Sequence, residues 1–377
     1  MYSARISALL CVSVLLGILL AGLTPFRQPR NAVTWLGNEN GLRFARYGTV
    51  RSSGGFQTGT LQHEGQHEGQ REGSCSVEIW LRPEVADATK TIFAFYTPEN
   101  PLQLVAIQYR ALFILKRELR DDSEHPEVIG IADALHSVKS AFVTIASGAQ
   151  GSAIYVDGKL VRRFPAFRIG NDCGSPLEIG TSPVTSDSWT GELRGLAVYE
   201  RELSEAEVRQ HYETWTTAGR PAISEDEKAV GVYLFDERAG SVVHNAVHGG
   251  IDLNIPKRFS LVHQIFLQPF WKEFRLKWSY FSDVLVNIAG FVPLGFVFCA
   301  HWTSVRRLRH AALATVALGF AVSLTIEVLQ SQLPTRYSDT TDVITNTLGT
   351  IVGVSLYSSR AVRAVVAGIF SRMDLQK

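Results

Sequence analysis

Two stretches of this chain, residues 6–26 and 284–357, are apolar and sparse in charge, while the long segment between them carries charges throughout. A chain so divided must satisfy two solvents, and this constrains its fold more than any other feature. The first run, residues 6–23, reads ISALLCVSVLLGILLAGL: 18 residues without a charge, enough to cross a bilayer core of about 30 Å. A cleaved signal peptide is the competing reading, but the run is long for one and no small-x-small cleavage site follows it, which favours a retained anchor. Both readings export what comes next. Across all 377 residues the chain is 46% hydrophobic and 19% charged with a net charge of +1, a balance that excludes a disordered chain and a nucleic-acid binder.

Three further apolar runs span residues 284–302, 311–329 and 343–357; the last is short and needs its flanking turns to reach across. Arg306, Arg307 and Arg309 separate the second and third spans, and Arg360, Arg363, Arg372 and Lys377 follow the fourth. Positive loops stay in the cytoplasm, so counting back puts the N-terminus inside and the charged middle segment outside. Arg27 and Arg30, just after the first span, argue mildly the other way, but a large exported domain follows them.

The middle segment gives short runs such as SVEIWLRP, TIFAFYTP, LQLVAIQYR, SAFVTIASG and GELRGLAVYE, each bounded by Gly, Pro, Asn, Asp or Ser. That spacing predicts an all-β sandwich. Asp157-Gly158 between two β-rich runs predicts a tight hairpin, and Ser204 with Glu207 predicts a capping box ahead of a helix. Together CSVEIWLRPE, the VDGKLV hairpin and PLEIGTSPVTSDSWTGELRGLAVYERELSEAEVRQHYETW resemble the laminin-G/concanavalin A-like family, whose fold is an all-β jelly-roll sandwich. The resemblance covers about residues 31–255. GVYLFDERAGSVVHNAVHGGIDLNIP, which resembles the opening segment of such domains, here comes last, so the sandwich reads as circularly permuted with its final strand at 230–237.

Retaining glucanases on this fold need two carboxylates about 5 Å apart on one strand, and no such string occurs, which ranks lectin-like binding or a spacer role above hydrolysis. Asp157, Asp172 and Asp187 are candidate calcium ligands or ordinary turn formers; no other cofactor is expected. Cys75 and Cys173 in the exported segment either pair or remain two buried thiols. His63-Glu64-Gly65-Gln66-His67 matches the zinc-protease string, but a glycine between the histidines and a tandem four-residue repeat point to a solvated loop. Phe270, Phe274, Trp278 and Phe281, interleaved with Lys272, Glu273, Arg275 and Lys277, suit a helix in the headgroup layer or one packed on the sandwich.

The C-terminal third carries D-x-x-x-N-x-x-G-F-x-P-L-G from Asp283, then Glu327-Val-Leu-Gln330, then Arg336, Asp339, Asp342, Asn346 and Gly349 at regular spacing. As a set this resembles the VanZ-like membrane family, named for a teicoplanin-resistance protein. Helical spacing places Asp283 with Asn287, Glu327 with Gln330, and Asp342 with Asn346 on one stripe of each helix. A charge facing hydrocarbon costs several kcal/mol, so the stripes should face each other, with Arg336 pairing one of the carboxylates. Two uses remain open: joining the helices, or a polar pocket at the outer leaflet for a headgroup or a glycan-linked phosphate.

The organisation so read is a multi-domain chain with a transmembrane helical bundle: an anchor (1–30), an extracytoplasmic sandwich (31–258), an interfacial helix (259–282), a three-helix VanZ-like module (283–360) and a cytoplasmic tail (361–377). A bacterial inner-membrane binding protein is expected, with membrane lipid or a lipid-linked glycan as partner of the bundle and an envelope glycan or protein as partner of the sandwich. The rivals are a membrane enzyme using Glu327 or Asp342 as acid/base and, through the family name alone, a glycopeptide-resistance factor.

Overall fold

The structure is a computed structural model that describes residues 2–24, 28–56, 73–84, 89–118, 126–136, 139–264, 266–273, 278–336, 338–365 and 368. It forms two compact units, residues 29–263 and residues 1–28 with 264–377. Its helices are α1 (Tyr2–Leu23), α2 (Glu205–Ala218), the short α3 (Phe270–Glu273), α4 (Trp278–Ser304), α5 (Ala311–Gln330) and α6 (Thr340–Ser358). The HEGQH string lies outside the described residues.

Residues 29–263 form the sandwich, which among the described residues consists of two eight-stranded antiparallel sheets. One sheet is centred on Gly191–Tyr199, Cys75–Pro83 and Ala141–Gly148 and ends in the hairpin Gly151–Val156 and Lys159–Phe164. The other runs from Val242–Val243 through Val50–Gly55, Pro176–Ile179 and Lys90–Phe95 to Glu127–Ile131. Between them Phe44, Ile79, Phe93, Phe95, Phe113, Val143, Ile145 and Trp189 are fully enclosed. Ala141–Gly148 is buried at all eight positions, because α2 covers the outer face of its sheet through Val208 and Trp215 against Phe142, Tyr155 and Ala197. Ser204 and Glu207 form the capping box of α2, and Gly219 ends the helix in the left-handed conformation at φ 71°.

The strand Ala229–Tyr233 pairs with Gly191–Tyr199, in the same sheet as Cys75–Pro83. It stops earlier than the 230–237 reading because Phe235 takes a left-handed φ of 51°. It is not the final strand either: Leu253–Asn254 follows and pairs with Val50–Gly55 in the opposite sheet. Entry and exit of the sandwich then meet, with Asn31 N–H donating to Lys257 carbonyl (3.3 Å) and Phe259 N–H to Pro29 carbonyl (3.0 Å).

The second unit is a bundle in which α1, α4, α5 and α6 run alternately up and down. At one end Ser7 Oγ lies 2.9 Å from His301 Nδ1 and Ser304 Oγ 2.9 Å from Tyr357 Oη; at the other Gln330 Nε2 donates to Gly22 carbonyl (2.7 Å) and Asn287 Nδ2 to Asp342 (2.7 Å). Val14, Ile18 and Leu23 of α1 pack on Phe291, Leu294, Val322 and Ile326 of α4 and α5. Sequence reasoning treated α1 as a separate anchor and the module as three helices; α1 is instead a fourth member of the bundle. Nothing in the apolar run 6–23 signals that face, since its hydrophobicity is nearly uniform around the helix.

Among the described residues three helices are long and apolar enough to cross a membrane: 4–23, 280–304 and 311–330. The expected fourth span, α6, is not one of them, because its Thr341, Asp342, Thr345, Asn346 and Thr350 lower its apolarity. Those residues are buried or half-buried, and α6 still runs beside α4 from the level of Asn287 to that of Ser304. The expected interfacial helix 259–282 is reduced to α3, with 274–277 outside the described residues and α4 beginning at Trp278; Phe270, Trp271, Trp278 and Phe281 are exposed.

Small residues set the α4–α6 distance. A Cβ at Gly349 would strike the Ile288 carbonyl, one at Gly353 the Val292 carbonyl, and one at Gly295 the Thr350 carbonyl. Without a hydrophobic drive between helices in lipid, such close backbone approach supplies the packing. Gly353→Leu should therefore cost the folded bundle about 1–3 kcal/mol by overpacking, read as a lowered melting temperature of the detergent-solubilised full chain. Leu356→Ala, at an exposed site on the same helix, should leave the melt almost unchanged.

Candidate functional site

The polar stripes of α4, α5 and α6 converge at the end of the bundle where α1 finishes. Ser323, Glu327 and Gln330 follow one another along α5, and α6 presents Asp342, Asn346 and Gly349 at the same spacing. Asn346 Nδ2 donates to Ser323 Oγ (2.9 Å), and Asn287 joins α4 to the set through Asp342. Glu327, 1% exposed, accepts the backbone N–H of Asp339 at 2.9 Å. Asp339 is the N-cap of α6 and its own side chain makes no capping bond; the Glu327 carboxylate of the neighbouring helix takes the N-cap N–H, as the Glu of a capping box does. A negative charge there faces the positive end of the α6 dipole.

The structure divides the sequence-derived residues. Asn287, Glu327, Asp339, Asp342 and Asn346 come together in one layer. Gln330 turns instead to α1. Arg336 is exposed and donates to the Thr24 carbonyl rather than to a carboxylate, because the loop before α6 carries it toward the end of α1. Asp283 is exposed at the start of α4, where the helix extends beyond the layer. Asn346 is 6% exposed, and its Oδ1 has no hydrogen-bond partner among the described residues. An amide oxygen left so costs about 1–3 kcal/mol unless a water or ligand donor reaches it.

Gln268 was not anticipated: its main chain pairs with Ser338 (2.8 Å) and Thr340 (3.0 Å), pinning the returning chain beside the cap of α6. His301 was missed as well. No spacing in the sequence marks either of them.

Two family models match the chain. VanZ/LLP1 matches residues 230–363, and the concanavalin A-like lectin/glucanases superfamily, in its laminin-G form, matches residues 53–209. The chain carries a VanZ-like module and a laminin-G-like domain. No curated protein matches it. Among solved structures the Ruminococcus gnavus IT-sialidase CBM40 bound to α2,3-sialyllactose is 14% identical, with 45% of this chain and 95% of that chain covered and a TM-score of 0.31. The SAP-like pentraxin of Limulus polyphemus is 14% identical over 63% and 100% of the two chains, with a TM-score of 0.34. The binding domain of Paraclostridial Mosquitocidal Protein 1 is 12% identical over 50% and 47%, with a TM-score of 0.35.

The match to the VanZ-like model begins at residue 230, inside the sandwich, so the sequence family and the compact unit do not share a boundary. In the laminin-G-like domain Cys75 and Cys173 form a disulfide that ties the strand Cys75–Pro83 to the turn at Asp172–Gly174. The three candidate calcium ligands are dispersed: Asp157 accepts from Lys139 (3.0 Å) and Phe142 N–H (3.1 Å), Asp172 from Gln103 (2.8 Å) and Asp187 from Thr185 (3.0 Å). No cluster of three or more metal-ligating side chains occurs among the described residues.

Beneath α2 the laminin-G-like domain holds a buried ionic relay. Tyr199 Oη donates to Glu78 (2.8 Å), His211 Nδ1 lies 3.1 Å from both Glu78 oxygens, and His211 Nε2 lies 2.9 Å from Glu227. Carboxylates beside both ring nitrogens, Glu78 by hydrogen bonding at Nδ1 and Glu227 as a close ion pair at Nε2, favour the doubly protonated imidazolium. Burial alone would lower the His211 pKa; the hydrogen bond and charge of Glu78, then Glu227, outweigh it and raise it. The stability it contributes is therefore full below its unfolded pKa of about 6.5 and is lost as pH rises through the higher folded value. Elsewhere in the sandwich, burial pushes Glu178 up to about 7 against the pull of Arg51 and Thr49, so its own contribution fades between about 4.5 and 7. Thermal melts of the full chain from about pH 6 to 9 should fall with pH. His211→Gln should be about 3 kcal/mol less stable at the acid end. The gap should narrow toward the alkaline end, and because Glu178 is common to both proteins a parallel pair of curves would exclude the imidazolium.

Proposed function

We propose that this is a bacterial cytoplasmic-membrane protein whose VanZ-like bundle holds the headgroup of a membrane lipid or lipid-linked glycan while its laminin-G-like domain binds saccharide outside the cell. The observation that carries the reading is the layer of buried Glu327, Asp339 and Asn346 with half-buried Asp342 at one end of the bundle, the same end from which the chain departs at Thr24 and returns at Gln268. An ionisable group within a membrane span is a functional-site hypothesis by default. The opposite end carries Arg5, Arg306, Arg307, Arg309, Arg360 and Arg363, which supports a cytoplasmic assignment for it and an outer-leaflet assignment for the polar layer.

The chemistry of the layer narrows the headgroup. Its described groups are carboxylates, amides and hydroxyls, and Arg336 donates to the Thr24 carbonyl at the end of α1. Such a set offers acceptors to the hydroxyl or amine donors of a headgroup. Half-buried Asn287 and Asp342 form the accessible side, and Asn346 Oδ1 is the acceptor behind them.

Two measurements test this. A periplasmic-active reporter fused after Gly219 should be active and one fused after Arg307 silent; the reverse would invert the assignment. Glu327→Gln keeps an acceptor for the Asp339 N–H and removes the charge, so it should melt close to wild type yet lose a lipid or lipid-linked glycan that co-purifies from native membranes. Unchanged co-purification in a folded Glu327→Gln protein would leave the layer a purely structural joint, whose membrane hydrogen bonds average only about 0.6 kcal/mol.

A further inference from the structure

The outermost strands of the two sheets of the laminin-G-like domain border a cleft. Among the domain's described residues the exposed large hydrophobic side chains are Val128, Leu160, Val161 and Val262, and the first three belong to the outermost strands of the two sheets, Glu127–Ile131 and Lys159–Phe164. Lys159–Phe164 is exposed at five positions and half-buried at the sixth.

Val128 lines a concave site, and Leu160 and Val161 lie outside it. The two strands and the Pro165–Phe167 turn line a cleft of about 410 Å³ that opens between the sheets. Ladder register shows which side chains face it. Arg162 lies opposite Ile154, a residue of the inter-sheet core, and Phe164 follows two residues on along the same face. The Arg162 guanidinium sits 5.2 Å from the Phe164 ring centroid, so the cation is held over an aromatic plate at the mouth. Arg163 also lines the cleft, and Glu127 on the far wall has Arg117 3.8 Å away. The local balance is positive, since Lys159, Arg162, Arg163 and Arg168 outnumber Glu127 among the cleft and its flanking strands.

Charged residues on an edge strand also serve to repel unwanted strand pairing. That role needs neither a cleft nor an aromatic ring beneath the cation, and it does not account for Leu160 and Val161 exposed beside them. We propose that this cleft binds an acidic saccharide, one whose sugar rings carry carboxylates. The fork of Arg162, backed by the Phe164 ring, matches a carboxylate with two parallel hydrogen bonds, Val128 gives apolar contact to a sugar ring, and Glu127 accepts from ring hydroxyls. The volume suits one or two sugar units and is small for a folded protein partner. This deepens the proposed function by naming the chemical class of the saccharide, and it rests on the reading of the domain as a glycan binder.

The test uses the full chain in nanodiscs of phosphatidylcholine alone, titrated with tetragalacturonate and, separately, with neutral maltotetraose. The acidic oligomer should bind and the neutral one bind at least tenfold more weakly, with the acidic affinity falling as salt rises. Arg162→Ala should lose at least tenfold, Arg162→Lys should fall between, and Phe164→Leu should weaken binding by several-fold while the melt is unchanged. Leu356→Ala, in the other unit, should bind tetragalacturonate like wild type. Equal binding of both oligomers with Arg162→Ala unaffected would overturn this inference and leave the glycan reading standing. Binding of neither oligomer would overturn both. Arg162-dependent recruitment to phosphatidylglycerol vesicles with no oligomer binding would replace the saccharide with a membrane surface and overturn the inference as well.

Discussion

A chain that leaves a helical bundle to build a large domain and then comes back must bring its two crossing points together, and the rest of this structure depends on that constraint. The bundle meets it through the order of α1 and α4. Because Ser7 meets His301 at one end while Gly22 meets Gln330 at the other, α1 and α4 run in opposite directions and the departing and returning chain share one end. The sandwich meets it independently, through Asn31 against Lys257 and Pro29 against Phe259. An insertion whose ends are already side by side can fold without straining its host.

The same constraint explains the late strands of the laminin-G-like domain. Once entry and exit are fixed next to each other, the segment after α2 has to return to the start of the domain, and it does so by adding Ala229–Tyr233 to one sheet and Leu253–Asn254 to the other. Closing the chain on itself in this way ties the N-terminal strands, the disulfide-linked centre and the C-terminal strands into one core. A loop on the order of 100 residues closed by the Cys75–Cys173 bridge removes about 4–5 kcal/mol of chain entropy from the unfolded state in the simplest account.

Much of this was legible in the sequence, and the reasons differ by element. The strands of the sandwich announced themselves through β-rich runs cut by turn residues, and the capping box of α2 through Ser204 and Glu207, because these signals act within a few residues. The polar stripes on α4, α5 and α6 followed from helical spacing. What spacing cannot give is the partner. Glu327 accepts from a main-chain N–H, Arg336 donates to a main-chain carbonyl and Gln330 reaches α1; in each case the other half of the bond is backbone and carries no residue identity to read. The relay of Glu78, Tyr199, His211 and Glu227 was hidden for a related reason. Its members are scattered over the sandwich sequence and join only when α2 folds across the sheet. The Lys159–Phe164 edge read as half of an ordinary hairpin, since exposure on both faces is a property of what does not pack beside it.

Glu327 shows how one side chain can cap a neighbouring helix and set the spacing between the two helices. A helix that begins inside or near the membrane has orphan N–H groups that water cannot reach, and each left unsatisfied costs more there than at a soluble surface. A serine or threonine on α6 itself could cap only by local geometry. A carboxylate supplied from α5 caps α6 and at the same time fixes the spacing between the two helices, which holds Asn346 against Ser323 one turn below. The Asn346 amide is thereby oriented, with its nitrogen committed and its oxygen turned away from any described donor. The rigid part of the layer is thus the part that faces the helices. The remaining part, Asn287 with Asp342, is half-buried. A ligand donor that reached Asn346 would meet an acceptor already aimed, so ordering the site would add little to the cost of binding.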